Sequence, residues 1–279
     1  MHRHPNSSGG QRRFPSAAGR FYPDEPVELR SMVQDMLHKA RELSGPSPKA
    51  IISPHAGYIY SGPIAASAFV QFARDQQVIR RVVLAGPSHY VPFHGIALSQ
   101  AYSFSTPLGE VLLDQAAGES LARQGLVEIR EDAHREEHSL EVQLPFLQEV
   151  LPGCSIIPLV IGEASPEEVG TCLEALWGGQ ETRIIISSDL SHYLDYETAK
   201  SIDYATACKI ERLAADELDS ADACGCAPVR GLLFAARNHA LKCTTIDLRN
   251  SGDTAGPRQR VVGYGAFMFT TPASEISRS

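Results

Sequence analysis

The chain has 279 residues, of which 43% are hydrophobic and 21% are charged, a balance typical of a globular protein with a sizeable buried core. No apolar run approaches the ~20 residues of a membrane span and no secretory signal is visible, so we predict a soluble cytoplasmic protein with no membrane partner. The formal net charge of −8 and the lack of a basic stripe argue against nucleic acid as a ligand.

Polar segments flank one predicted domain. Residues 1–13 and 272–279 have the composition of disordered tails. Residues 14–271 contain neither a low-complexity linker nor an internal repeat, so we predict a single domain over this range. The six cysteines show no framework spacing and are expected to be reduced thiols.

Apolar runs alternate with amphipathic stretches along this domain. The predicted elements in chain order are helix 26–43, strand 50–53, helix 63–72, strands 81–85 and 95–98, helices 114–123 and 138–151, strand 155–160, helix 166–176, strand 183–187, helices 196–218 and 228–240, and strands 243–248 and 262–269. Short apolar strands separated by helices indicate an α/β fold. We expect a central, largely parallel or mixed sheet with helices on both faces.

Three of the predicted strands are each followed closely by a histidine, namely His55, His89 and His192. Loops at the carboxyl ends of parallel strands converge on one edge of the sheet, where α/β proteins bind their ligands. One such histidine alone would be expected only to hydrogen-bond to its own loop. Three of them predict a shared metal or catalytic site, because the ligands of a metal must all lie ~2 Å from one ion.

Acidic residues accompany the histidines. Asp189 lies three residues before His192 and either orients its imidazole or caps the turn after the strand. His138 and Glu141 lie three residues apart at the start of a predicted helix, where they would share a face and support the pocket. Capping of the helix would explain the acidic residues equally well. Three other histidines of the domain match no chemistry and are predicted to lie on the surface or in loops: His94, His134 and His239.

Five short motifs are distributed over nearly the whole chain. They are Pro54-His55-Ala56-Gly57-Tyr58, Gly86-Pro87-Ser88-His89, Glu137-His138-Ser139-Leu140-Glu141, Ser188-Asp189-Leu190-Ser191-His192 and the Cys224-Gly225 segment. In this order and spacing they resemble the Memo family, whose bacterial and archaeal branch is known as AmmeMemoRadiSam system protein B. The resemblance implies a fold shared with the LigB-type class III extradiol dioxygenases, which are non-haem iron enzymes.

The resemblance also implies a set of ligands. In those dioxygenases two histidines and a carboxylate bind Fe(II), and a further histidine acts as acid and base. By resemblance His55 and His89 take the imidazole positions, His192 takes the acid/base position, and Cys224 stands where the carboxylate would be. Fe(II) is therefore the expected divalent metal, with copper or zinc as alternatives, because a thiolate is a softer ligand than a carboxylate.

Two classes of function remain open. The first is a metal-dependent oxidoreductase of dioxygenase-like type, acting on a small molecule in the metal pocket with His192 moving protons. The second is a non-enzymatic module that uses an inherited pocket to bind a peptide, a partner protein or a stored metal. The family name further implies a radical-SAM partner. Cys226 is either a second thiol of the site or a small residue that fills space.

Overall fold

The computed structural model describes residues 11–272, and the parts of the predicted tails at 1–10 and 273–279 lie outside the described residues. The strands in this range are β1 (Arg12–Arg13), β2 (Ala50–Ser53), β3 (Arg81–Pro87), β4 (Ile96–Leu98), β5 (Ser103–Thr106), β6 (Gly109–Leu112), β7 (Glu128–Ile129), β8 (Ser155–Ile161), β9 (Thr182–Ser187), β10 (His192–Leu194), β11 (Lys242–Asn250) and β12 (Val261–Thr270). The α-helices are α1 (Pro26–Lys39), α2 (Tyr58–Phe69), α3 (Gln115–Arg123), α4 (Glu131–Arg135), α5 (His138–Glu141), α6 (Leu144–Val150), α7 (Pro166–Ala175), α8 (Tyr196–Glu211) and α9 (Cys226–Asn238).

The main sheet is mixed, with a parallel centre. Within the described range its strands follow the order β10-β12-β2-β9-β3-β8-β4-β7, and β11 pairs with β12. The four central strands β2, β9, β3 and β8 are parallel, whereas β12 and β4 run antiparallel at either side of them. The predicted α/β fold is thereby confirmed. The carboxyl ends of β2, β9 and β3 are adjacent, and β12 begins at this same edge because it runs antiparallel to β2.

Successive residues of the central strands enter two separate cores, one on each face of the sheet. Ile51 and Ile185 belong to the first core, and their chain neighbours Ile52 and Ile186 belong to the second. Helices α1, α2 and α6 cover the first core, and α7 and α9 pack together over the second. Because both faces are covered, these strands are continuous apolar runs rather than alternating ones.

Two prolines explain helix boundaries that differ from the prediction. Pro63, predicted to open a helix, lies inside α2, which begins at Tyr58. Pro63 cannot bond to the carbonyl of Ile59, but Ile59 is exposed, so water can satisfy that group. Pro145 stands in the first turn of α6, and the single helix predicted over 138–151 is therefore divided into α5 and α6.

Two further differences from the prediction are local. The helix predicted over 196–218 ends at Glu211, since Leu213 adopts a φ of 56°, which a right-handed helix cannot contain. The hairpin of β5 and β6, which the hydrophobic pattern does not predict, joins β1 in a separate three-stranded sheet.

Arg13, predicted to lie in a disordered tail, is instead buried in β1 beside β5. Its guanidinium group donates hydrogen bonds of 2.7 Å to Glu141 Oε2 and to the carbonyl oxygens of His134 and Glu137. The hydroxyl of Tyr22 donates to Glu141 Oε1 at 2.6 Å. A buried carboxylate requires a paired charge and hydrogen bonds, and for this reason the domain includes residues that composition assigns to the tail.

These contacts change the pKa of Glu141. Burial would raise it, but the positive charge of Arg13 and the hydrogen bonds from Tyr22 and the backbone lower it below its ordinary value. A carboxyl group whose pKa is lower in the folded than in the unfolded state stabilises the fold above its ordinary pKa. That contribution is lost as the pH falls.

We predict that Glu141→Gln lowers the free energy of unfolding at neutral pH by about 3–5 kcal/mol, because Arg13 is left as a buried charge without a counter-charge. The wild-type protein should also lose stability as the pH falls below about 4, and the variant should lose less over the same range. Urea unfolding followed by circular dichroism at several pH values measures both effects.

Glu149→Gln is the matched control. Glu149 pairs with Arg30, whose side chain is half exposed, so this substitution should cost no more than about 1 kcal/mol. Equal losses of stability in the two variants would contradict the role given to Glu141.

Candidate metal centre

A cavity of about 770 Å³ opens at the sheet edge where β2, β9 and β3 end. A volume of this size suits a small organic molecule. The side chains with metal-binding or acid/base chemistry that line it are His55, His89, His138, Asp189, His192 and Cys224.

Three imidazoles lie close together in this cavity. Ligand nitrogens of His55, His89 and His138 are all within 4.8 Å of one another, so the three side chains could hold a metal ion. The ring centroids of His55 and His89 are 5.1 Å apart, and those of His89 and His138 are 4.6 Å apart. Imidazole is a common ligand of zinc, copper, iron and nickel.

The approach of α5 to the end of β3 brings His138 into this group. Gly86 makes that approach possible, since a Cβ atom there would lie 2.9 Å from the Ser139 hydroxyl oxygen and 3.0 Å from a methyl group of Leu140. The Ser139 hydroxyl donates to the carbonyl of Pro87 at 2.9 Å and ties the helix to the strand. A larger residue at position 86 would push α5, and with it His138, away from His89.

Hydrogen bonding determines which nitrogen of His55 faces the cavity. The Ser187 hydroxyl donates its single proton to the carbonyl of Ser139 at 2.6 Å and accepts from the Gln143 amide at 2.8 Å. His55 Nδ1 lies 2.8 Å from the same hydroxyl oxygen and must therefore be the donor. The lone pair of His55 is then on Nε2, the nitrogen that faces the cavity.

His89 is oriented by a buried carboxylate. Glu137 Oε2 accepts the backbone N–H of His89 at 2.6 Å, and Glu137 Oε1 lies 2.9 Å from His89 Nδ1. Burial would raise the pKa of Glu137, but the hydrogen bonds from His89 and from the backbone of His89 and Ser139 lower it to about 2. Since an ionised carboxylate only accepts, Nδ1 carries the proton and Nε2 is free to bind a metal.

His138 is held between aromatic and polar neighbours. Phe21 stacks on its ring at a centroid distance of 4.4 Å. Its Nδ1 lies 3.3 Å from the Tyr90 hydroxyl and 3.4 Å from Glu137 Oε1. Glu137 thus contacts two of the three histidines of the cluster.

Two of the imidazoles are uncharged at neutral pH. Burial, with the neighbouring His89, lowers the pKa of His55 to about 3. Burial, with the neighbouring His55, lowers the pKa of His138 to about 4. Neutral imidazole is the form that binds metals, so no proton has to leave either side chain before a metal binds at neutral pH.

The thiol of Cys224 lies beside the imidazole of His55. Its Sγ is 3.3 Å from His55 Nε2 and accepts the backbone N–H of Asp189 at 3.3 Å. Burial and the adjacent Asp189 raise the pKa of this thiol to about 12, so without a cation it is protonated and donates to His55 Nε2. The glycine at position 225 allows Cys224 to approach His55, because a Cβ atom at Gly225 would lie only 2.6 Å from Ser188 Cβ.

His192 and Asp189 occupy different environments. His192 begins β10 and its exposed ring lines the mouth of the cavity, outside the group of three imidazoles. Asp189 is buried, and its Oδ1 accepts the backbone N–H of His55 at 2.7 Å. In the described part of the chain Asp189 forms no hydrogen bond to His192, so it positions the His55 loop instead of the His192 ring.

Glu141, predicted to support the pocket together with His138, does not line the cavity. Its carboxylate is instead engaged by Arg13 and Tyr22. His138 does line the cavity, so the two side chains do not support the pocket together.

The other polar side chains considered above lie away from the cavity. His134, predicted at the surface or in a loop, is instead buried and donates from Nε2 to the carbonyl of Ala97. His94 is exposed beside Glu163, and His239 stacks on Trp177. Cys226 begins α9 and packs against the second core.

Among residues 11–272, no helix combines the length and the apolar character needed to cross a membrane.

The sequence matches the family of Memo-like proteins over residues 13–268. The MEMO1 family protein of Aquifex aeolicus is 35% identical over 268 residues, which cover 92% of this chain and 98% of that protein. The MEMO1 family protein of Metallosphaera sedula is 32% identical over 282 residues, covering 93% and 99%. These similarities extend over almost the full length of each relative.

We predict that Glu137→Gln weakens metal binding by about 10- to 100-fold while the protein remains folded, because an amide cannot hold His89 Nδ1–H as a carboxylate does. Titration of the metal-depleted protein with Zn²⁺ against a competing chelator measures the affinity. Glu136→Gln changes the exposed neighbour of Glu137 and should leave the affinity unchanged. Unaltered Zn²⁺ affinity in Glu137→Gln would refute the role of this carboxylate.

Proposed function

The chain belongs to the Memo family, and we propose that it is a metal-dependent enzyme that binds one transition-metal ion at His55 and His89 and a small molecule in the adjoining cavity. The observation that carries this proposal is the orientation of the two rings. Each Nδ1–H is engaged by a buried acceptor, so each Nε2 lone pair is available to a cation.

Cys224 and His138 flank this pair and complete the proposed donor set. Cys224 Sγ lies beside the His55 nitrogen that would bind the ion, and His138 belongs to the imidazole cluster. The donor set fits a divalent transition metal rather than Ca²⁺ or Mg²⁺, which prefer oxygen ligands. The resemblance to LigB-type dioxygenases favours Fe(II), and the thiol favours copper or zinc.

A metal held here would supply Lewis-acid or redox chemistry to the molecule in the cavity. The remaining tasks fall to the protein. Asp189 holds the His55 loop, and Glu137 holds His89, so both rings are oriented before a ligand arrives. His192 lines the mouth with an exposed imidazole, a side chain that often serves as general acid and base. We assign proton transfer to His192.

We further propose that the protein acts in the cytoplasm together with a radical-SAM enzyme, as the composition of the chain and the family resemblance imply.

Metal content tests the proposal. We predict that His55→Ala and His89→Ala abolish stoichiometric metal in protein purified without oxygen, as measured by elemental analysis. His138→Ala should weaken the affinity, and Cys224→Asp should shift the preference from copper or zinc towards Fe(II), because a carboxylate is the harder donor. Circular dichroism should show all four variants folded, since these side chains lie at the sheet edge rather than in its two cores.

Two further variants serve as controls for the ligand set. His192→Ala should keep the metal and slow any turnover by about 10²–10⁴-fold. His94→Ala removes an exposed imidazole away from the cavity and should change neither property. The proposal fails if wild-type protein and His55→Ala hold the same substoichiometric mixture of metals.

A further inference from the structure

Among residues 11–272, Arg260 is the one arginine or lysine whose side chain lines the cavity. Arg260 directly precedes β12, and β12 pairs with β10 in a register that sets Val262 opposite His192. Arg260 therefore stands at the mouth of the cavity, on the same side as the histidine to which we assign proton transfer.

Arg260 has no carboxylate partner in the part of the chain that the structure describes. The buried arginines of the described range, Arg13 and Arg183, are paired with Glu141 and Asp75, whereas Arg260 is exposed at the mouth of the cavity. Within the described range, the acidic side chain that lines the cavity is Asp189, which is buried and already accepts a backbone N–H. The positive charge of Arg260 is therefore not neutralised within the cavity.

Arg260 is nevertheless held in place. Its guanidinium carbon lies 4.8 Å from the centroid of the Tyr193 ring, which is a cation–π contact. Stacking covers one face of the guanidinium group and leaves the N–H donors on its edge free.

The backbone of Tyr193 is in an unusual conformation. Its φ is 61°, in the left-handed region that aromatic residues rarely adopt, and the register of β10 against β12 shifts between His192 and Leu194. Such bulges re-aim a side chain next to functional sites. Tyr193 is 63% exposed, and its ring lies beside the guanidinium group of Arg260 and 5.7 Å from the His192 ring.

We propose that Arg260, stacked on Tyr193, binds the carboxylate of a small organic acid whose remaining atoms reach the metal centre. This inference rests on the proposed function and names the substrate class of that site. The planar fork of a guanidinium group matches a carboxylate with two parallel hydrogen bonds. A single cation suits a singly charged carboxylate better than a doubly charged phosphate, which would require further donors.

The inference is tested by comparing the binding of carboxylic acids and of their amides to metal-depleted protein, so that the metal makes no contribution. A panel of small aromatic and aliphatic carboxylic acids is compared with the corresponding amides by ligand-observed NMR at millimolar concentration, with phenyl phosphate as a separate arm. Wild-type protein should bind at least one acid about tenfold more tightly than its amide, and Arg260→Gln should remove that difference.

Two variants separate recognition from folding. Arg258→Gln is the matched control, because Arg258 stacks on Tyr196 at 4.4 Å but does not line the cavity, and acid binding should be unchanged. Tyr193→Phe keeps the ring and should keep the preference. Tyr193→Asn, whose side chain tolerates a positive φ, should weaken it.

Three results would overturn the inference. In the first, no acid binds more tightly than its amide. In the second, Arg260→Gln binds acids as tightly as the wild-type protein does. In the third, phenyl phosphate binds more tightly than every carboxylate. The metal content of the same preparations before chelation distinguishes this failure from failure of the proposed function. Before chelation, Arg260→Gln should contain as much metal as the wild-type protein. The acid preference is measured after the metal has been removed, so it does not depend on the metal content.

Discussion

The buried carboxylate of Glu137 joins two elements that are distant in the sequence. It accepts the backbone N–H and the imidazole Nδ1–H of His89, which follows β3, and the N–H of Ser139 in α5. The same carboxylate therefore caps the helix that carries His138 and orients the ring of His89. If this contact were lost, both the position of α5 and the direction of one imidazole lone pair would be free to change.

The remaining geometry follows from the order of the strands. Because β9 lies between β2 and β3, the last residue of β9 and the segment after it are central at the sheet edge, and they supply the groups that hold the neighbouring loop. Asp189 holds the backbone of His55, and Ser187 holds its ring. Two glycines, Gly86 and Gly225, then allow α5 and the Cys224 segment to approach this edge more closely than any side chain would permit.

The parts of the molecule that local sequence determines could be predicted. Apolar strands buried on both faces and histidines directly after β2 and β3 are local features, and His55 and His89 could be assigned to one edge from them. The position of the His138 side chain could not be predicted in this way, because it depends on the packing of α5 against Gly86 and on the hydrogen bond between Glu137 and His89. The burial of Arg13 likewise depends on Glu141, a residue more than a hundred positions away.

The electrostatic character of the cavity differs from that of the whole chain. The protein has a formal net charge of −8, yet the carboxylate oxygens of Glu137, beside the imidazole cluster, are occupied by N–H donors of His89 and Ser139. The imidazoles of His55 and His138 are uncharged, Asp189 is buried against the backbone of His55, and Arg260 places a positive charge at the mouth. A divalent ion would make this region more positive still, and the field of a cleft is concentrated by its low-dielectric walls. The net negative charge of the chain disfavours an extended polyanion, whereas a positive charge at the mouth of a cleft favours a small anion that can enter it.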